Sequence, residues 1–451
     1  MCAIFGIGSH HEASKIVYLG LHALQHRGQE GAGIVSTNGQ EPFAYRRKGH
    51  VGEVFTQSAL DKLPGSAAIG HTRYSTTGAN TMANLQPLLM KSAFGWVGVA
   101  HNGNLVNAAA LSVRLEKEGS IFQSTNDTEV IVHLMARSGE TDPEKALVKA
   151  LSQVEGAYSL LVLVQDKLIA VRDPRGFRPL VMGEFLGGPV FASETTAFDL
   201  IGAKYRREVA PGEMIVVPLE APRNMISTYP FPKTELKRCI FESIYFARPD
   251  SNLYGQSVHE TRRELGKILA EEHPAPGAEV VLPVPDSGVP AAIGFAERSG
   301  IPFDMAIVRS HYIGRTFIEP GQSIRDFGVR LKLNPVRERI EGRSIVVVDD
   351  SLVRGTTSRK LVKLLREVGG AKEVHLRISA PPTEHPCFYG IDTPSRAELL
   401  ASANSIEKIC QYVGADSLGY LSLEGLTRAA SKKSGPGFCD ACFTGKYPTA
   451  V

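Results

Sequence analysis

No apolar run in these 451 residues approaches the roughly 18 that a membrane span needs, and no basic stretch leads into an apolar core at the N-terminus. Neither membrane attachment nor export is indicated, and a cytoplasmic protein is expected. Charge of one sign is not in excess: 50 Lys and Arg against 47 Asp and Glu leave a net +3, too little to argue for nucleic acid as a partner. Neither G-x-G-x-x-G nor G-x-x-x-x-G-K-[ST] occurs, which removes the usual dinucleotide and P-loop phosphate binders. Internal repeats and low-complexity tracts are missing as well. Cysteine is scarce, six in all, and in a reducing compartment disulfides are not expected. What is left is ordinary globular chemistry, 43% hydrophobic and 22% charged. The length exceeds the roughly 250–300 residues beyond which one core usually splits, so two domains are expected.

The most informative segment is Ser344–Thr357, SIVVVDDSLVRGTT. Ile345–Val348 are all β-branched, which suits a strand buried on both faces of a parallel sheet, and ligands gather where such strands end. Asp349 and Asp350 fall at that edge. Behind them Gly355, Thr356 and Thr357 lead into SRKLVKLLREVG, where Leu361, Leu364, Leu365 and Val368 have helical spacing. Free N–H groups at the start of such a helix suit a phosphate, while the acids can hold ribose hydroxyls or a metal. The twelve residues from Val346 resemble the phosphoribosyl pyrophosphate (PRPP) signature of type I phosphoribosyltransferases. That resemblance implies PRPP contacts from Asp349, Asp350, Ser351, Arg354, Gly355, Thr356 and Thr357.

Cys2 follows Met1 and precedes AIFGI, which reads as a buried strand. With Met1 removed, one residue carries a thiol of ordinary pKa near 8.5 and an α-amine near 7.7–8.0, a nucleophile and base nearly matched. Three later segments, HTRYSTTG, HNGNL and TNDTE, supply what glutamine hydrolysis needs. Arg73 offers a fork for the substrate carboxylate and Asp127 an anion for its ammonium. Asn102 and Gly103 offer a side-chain amide and a backbone N–H for an oxyanion hole. Read singly, HNGN is equally a tight Asn-Gly turn. Together with LQHRGQEGAG (24–33) and RDPRGFRPL (172–180), these residues resemble the glutaminase domain of the class II, N-terminal-nucleophile amidotransferases.

Joined in one chain, the two halves resemble the glutamine phosphoribosylpyrophosphate amidotransferase family over nearly the full length. The family reaction converts PRPP, glutamine and water to 5-phosphoribosylamine, glutamate and pyrophosphate, the first committed step of purine nucleotide synthesis. A PRPP-sensing repressor would need a DNA-binding helix-turn-helix where this chain has a glutaminase, and a hexosamine or asparagine synthase would lack VVVDDSLVRGTT. The implied fold is α/β, an N-terminal-nucleophile αββα glutaminase domain over 1–230 and a type I phosphoribosyltransferase domain with a parallel sheet over 231–451. Local patterning agrees. Short strands dominate the first part, with two around a Gln-Asp-Lys turn in Ser159–Val171 and helices near Thr128–Ala136 and Glu144–Leu151. The breaker-rich stretch Pro218–Lys233, with Pro222, Asn224, Pro230 and Pro232, is the expected junction. From Ile240 onward, strands and helices alternate.

Within the second half, VPDSGVPAA (284–292) reads as a phosphate loop opening a helix. The resemblance makes Asp286, Ser287 and Gly288 pyrophosphate contacts and sets Ser287 beside Asp349 and Asp350 at one magnesium ion per subunit, which keeps oxygen ligands. Arg309–Asn334, with Gly314, Gly321 and Gly328 among basic residues, reads as a lid that excludes water, Arg309 and Lys332 balancing phosphate charge. Cys439-Asp-Ala-Cys442 alone fits zinc, a redox pair or a cluster. With Cys239 and Cys387 it matches the positions at which an iron–sulfur branch of the family ligates a [4Fe–4S] cluster, and four thiolates also suit structural zinc. Members of that branch commonly carry a propeptide, whereas here Met1 alone precedes Cys2. Cys410, spaced with Ile406 and Val413, is expected in the core. Relatives are homo-oligomers, tetramer or dimer, inhibited by purine nucleotides, so those nucleotides are expected partners beside glutamine and PRPP.

Overall fold

A computed structural model describes residues 1–74, 81–310 and 333–451. Lys332 and nearly all of the expected lid lie outside the described residues, as does the end of HTRYSTTG.

AIFGI becomes the strand Ala3–Ile7, fully buried, at the centre of a seven-stranded antiparallel sheet. Its neighbours are Ala67–Arg73 and Gly188–Ala192. A second antiparallel sheet of six strands contains Gly95–Leu105 paired with Gly156–Val164. Side chains alternate along these strands, and that alternation builds the layers. Ala3, Phe5 and Ile7 pack on the Ala13–Ala23 and Thr196–Ile201 helices, while Ile4 and Ile69 turn the other way, against Ala100 and Leu161 of the second sheet. The outer face of that second sheet, with Val99 and Leu160, is covered by the helices Ala108–Lys117, Thr128–Ala136 and Pro143–Leu151. Helix, sheet, sheet and helix thus stack in four layers. The two strands expected around Gln-Asp-Lys are Gly156–Val164 and Lys167–Arg172, with Gln165 at φ +51° in the tight turn between them.

The breaker-rich stretch is more than a linker. Ile226–Thr228 doubles back to pair with Met214–Pro218 as the edge strand of the second sheet, the turn between them holding Pro222–Asn224. Further on, four parallel strands, Val280–Pro283, Ser344–Asp349, Glu373–Ile378 and Ser417–Tyr420, lie side by side in that order. Pro283 and Val348 are register partners, so the loops that follow their strands leave the same edge. One loop opens the helix Val289–Ser299 and the other opens Thr356–Glu367. The first of these helices is held against Val258–Glu272 by a glycine crossing: a Cβ on Gly266 would stand 1.8 Å from Ala291 O, and one on Gly294 1.9 Å from Arg263 O.

One core expectation, that for Cys410, needs correcting, and one helical spacing runs past its helix. Leu361, Val362, Leu364 and Leu365 are buried, but Val368 is 41% exposed, because the helix ends at Glu367 and its apolar face ends with it. In the helix Ile406–Val413 the buried pair is Ile409 and Val413, four apart. Ile406 is 42% exposed in the first turn, and Cys410 lies half-buried beside the core, its thiol donating to Ala415 O at 3.3 Å. The strands flanking the undescribed segment, Ile307–Arg309 and Leu333–Pro335, pair with each other.

Candidate active site

Strand alternation decides which residues meet between the two sheets. Cys2 has the parity of Ile4, Arg73 that of Ile69, and Asn102 that of Ala100, so all three belong to the facing surfaces, at one end of the sandwich. Cys2 Sγ donates to Tyr74 O at 3.5 Å. Arg73 is buried, with Nη1 donating to Asn84 O at 2.8 Å. Asp127 stands at the start of the Thr128–Ala136 helix, its Oδ2 accepting from Leu105 N at 2.9 Å. HNGN is not a turn: Asn102 and Gly103 lie inside the long strand Gly95–Leu105. Asn102 is fully buried, yet among the described residues neither its amide nitrogen nor its oxygen has a hydrogen-bond partner. A buried amide left unpaired is costly unless something occupies the site. Gly103 has no alternative, since a Cβ would stand 1.9 Å from Ala157 O.

His71, in HTRYSTTG, also points between the sheets, its Nε2 within 3.1 Å of His101 O. Burial, reinforced by Arg73, pushes its pKa down to about 3. A histidine held neutral with that value is a poor proton acceptor at neutral pH. Met1 is buried; burial, with Arg178 and Arg27 against the opposing pull of Cys2, lowers its amine to about 5.

Sequence reasoning quoted LQHRGQEGAG and RDPRGFRPL without giving Arg27 or Arg178 a role. Both are fully buried. Arg27 Nε donates to Cys2 O at 3.1 Å, and its Nη2 reaches the Met1 sulfur at 3.1 Å. The same guanidinium bonds Glu194 and, at 2.7 and 3.0 Å, Glu242; Arg178 Nη2 donates to Glu242 at 2.6 Å. Burial would raise both carboxyls, but the guanidiniums, and His26 at Glu194, hold them below the usual range. The partners are distant in sequence and Glu242 has no motif around it, so only the fold brings them together. Arg172 and Asp173 serve their own turn, Arg172 through Gly176 O and Arg178 O and Asp173 by accepting from the Arg175 and Phe177 amides.

At the parallel-sheet edge Asp350 is buried and Asp349 half-buried. Burial and each other's charge push Asp349 well above the usual carboxyl range; burial also raises Asp350, opposed by hydrogen bonds from Ser287 and Ser351 and by Arg262. Two adjacent carboxyls that resist ionising together are the kind of pair that a cation with oxygen ligands would relieve. Gly355 takes φ +70° to open the helix at Thr356, and Gly288 lies where a Cβ would meet Val348 O at 2.5 Å. Arg309 Nη1 bonds Asp286 at 2.5 Å and Arg354 reaches Glu398 at 3.4 Å, both exposed pairs. One cavity of about 790 Å³ is lined from both halves, by Met1, Arg27 and Tyr74 of the first and by Asp286, Ser287, Arg309 and Ser351 of the second.

Four cysteines converge from three stretches of chain. Cys239 and Cys439 are register partners in a short parallel pair of strands, and Cys442 O accepts from Glu384 N and His385 N, next to Cys387. Burial pushes the Cys239 thiol up to about 11, and the Cys439 and Cys442 thiols further, with the other three cysteines adding to the shift at Cys442. Cys410 stands among Asp416, Arg377 and Glu407 instead. Among the described residues no group of three or more His, Cys, Asp or Glu side chains is placed to hold a metal ion.

Comparison with known proteins matches a glutamine amidotransferase domain to residues 71–199. The chain is 54% identical to the chloroplastic amidophosphoribosyltransferase 1 of Arabidopsis thaliana over 99% of this chain and 78% of that protein. It is 50% identical to the amidophosphoribosyltransferase of Bacillus subtilis over 100% and 94%. Among solved structures, glutamine PRPP amidotransferase from B. subtilis complexed with ADP and GMP superposes with a TM-score of 0.94 at 50% identity, covering 100% of this chain and 98% of that one. Another, described as the allosteric regulatory enzyme of purine biosynthesis, gives 0.95 at 50% identity over 100% and 97%.

Removing one partner of a buried ion network strands the others. Glu242→Ala leaves Arg27 and Arg178 short of an anion and is expected to cost about 3–5 kcal/mol, read as a lower thermal unfolding midpoint at unchanged secondary structure. An unchanged midpoint would mean the network carries little of the fold.

Proposed function

Since the chain belongs to the amidophosphoribosyltransferase family, we propose that residues 1–230 release ammonia from glutamine at Cys2 and residues 231–451 place it on the ribose carbon of PRPP. The enzyme is a glutamine-dependent glycosyltransferase of purine nucleotide synthesis. The observation that carries the division of labour is a cavity lined by Met1 and Tyr74 of the first half and by Ser287 and Ser351 of the second.

In the first site, Arg73 and Asp127 hold the carboxylate and ammonium of glutamine. With Met1 removed, the Cys2 α-amine takes the thiol proton and Sγ attacks the side-chain amide carbon. Negative charge then develops on the amide oxygen, where Asn102 Nδ2 and the Gly103 N–H receive it; the unpaired, buried Asn102 amide supports that role. The amine returns its proton to the leaving ammonia, and water hydrolyses the thioester to glutamate. Arg27, on the Cys2 carbonyl, fixes the backbone of the nucleophile.

In the second site Asp286–Gly288 and Ser351–Thr357 hold pyrophosphate and phosphate, and Asp349 and Asp350 take the ribose or, with Ser287, magnesium. Bound there, magnesium would supply charge neutralisation for the pyrophosphate. Ammonia attacks the ribose carbon from the cavity side. The same phosphate loops suit purine nucleotides as inhibitors, and the B. subtilis relative is complexed with ADP and GMP. A homo-oligomer, dimer or tetramer, in the cytoplasm completes the reading; no described helix is long and apolar enough to cross a membrane.

Cys239, Cys387, Cys439 and Cys442 are assigned to a [4Fe–4S] cluster, which supplies a cross-link between segments far apart in sequence. The convergence of Cys239, Cys387, Cys439 and Cys442 from three stretches of chain supports a shared centre, for which four thiolates suit a [4Fe–4S] cluster, with structural zinc the alternative.

Asp349→Asn is expected to abolish phosphoribosylamine formation from either glutamine or ammonia while basal glutamate release persists; an equal fall in both would contradict two separable sites. Iron and acid-labile sulfide in anaerobically purified protein should be lost in Cys439→Ser and Cys387→Ser, with lowered stability, and kept in Cys410→Ser. Equal loss in all three, or zinc in place of iron, would overturn the ligand assignment.

A further inference from the structure

The strand bearing Asn102 and Gly103 is gripped from outside its own sheet. Gly390, in the second half, packs so near Gly103 that a Cβ on it would stand 3.0 Å from the Gly103 carbonyl carbon, 3.1 Å from its oxygen and 3.2 Å from its Cα, and it holds φ at +102°. Two residues earlier, Phe388 O accepts from Asn104 Nδ2 at 2.9 Å. Between them the buried Tyr389 ring stacks on Phe177, centroids 4.3 Å and planes 15° apart, and its hydroxyl bonds Thr449 at 2.9 Å. On its other side Gly103 is closed in by Ala157 O.

We propose that Phe388–Gly390 is the positioning element for the oxyanion donors, so that glutamine hydrolysis depends on a segment of the phosphoribosyl half. This rests on the reading of Asn102 and Gly103 as those donors. Neither residue can fix itself. Gly103 has no side chain to anchor, and the Asn102 amide has no partner among the described residues. Donors to a tetrahedral oxyanion act only if set in place beforehand, and a displacement of about 1 Å costs on the order of a hundredfold. A peptide held between Ala157 on one side and Gly390 on the other cannot drift that far. The grip also reaches the thiols, because Cys387 Sγ accepts from Tyr389 N at 3.3 Å.

The test uses the full chain with Gly390→Ala and, separately, Asn104→Ala, a side chain partly exposed at the strand edge. Glutamate release is measured for kcat and KM, and phosphoribosylamine synthesis is measured with an ammonium salt. Glutamine kcat is expected to fall about tenfold or more in each, with KM within about twofold because Arg73 and Asp127 still hold the substrate's ends. Ammonia-dependent synthesis should be unchanged. If Gly390→Ala does not fold, Asn104→Ala decides. Unchanged glutamine kcat, or parallel loss of both activities, overturns the positioning role. Asn102→Ala serves as the reference: its loss of glutaminase keeps the donor reading standing whatever the clamp variants do, and full activity in it would overturn the donor reading and the clamp with it.

Discussion

Glu242 is the carboxylate on which the two halves of this chain turn. It stands just beyond the junction, yet its partners Arg27 and Arg178 both come from loops and turns of the first half, and all three are buried. Charges taken out of water are tolerated only when paired and hydrogen-bonded, so the second half cannot move off the first without stranding two guanidiniums. Arg27 carries the constraint further, because the same group bonds the carbonyl of Cys2. Where the nucleophile sits is therefore tied to how the halves dock.

That docking lines one cavity from both halves. One half is an antiparallel sandwich and the other a parallel sheet, two architectures that position side chains differently. In the sandwich, alternation turns Cys2, Arg73 and Asn102 to one interior surface. At the parallel edge, two adjacent strands release their loops side by side, and backbone N–H groups at helix starts are left for phosphates. The segment Phe388–Gly390, which lies against Gly103 and follows Cys387, joins these regions a second time.

Much of this was legible in the sequence where chemistry is local. VVVDDSLVRGTT announces a strand, an acidic edge and a glycine-led helix start within the fourteen residues from Ser344, and the structure has them there. HNGN was ambiguous because an Asn-Gly pair serves a hairpin turn as readily as a strand. What decides for the strand is Ala157 closing over Gly103, a contact 54 residues away that no local pattern carries. Arg27, Arg178, Glu194 and Glu242 were illegible for the same reason, as single charges normally read as surface. Cys410 went the other way: spaced with Ile406 and Val413 it read as core, but the buried pair of its helix is Ile409 and Val413 and the thiol is half-buried.

The central claim is that Cys2 only frees ammonia and that the PRPP site uses it. Cys2→Ala, assayed for phosphoribosylamine with glutamine and then with an ammonium salt at alkaline pH, tests this most directly. Synthesis should vanish with glutamine and persist with ammonia, since Asp349, Asp350 and both phosphate loops are untouched. Loss of both activities in a folded variant that still binds PRPP would contradict it.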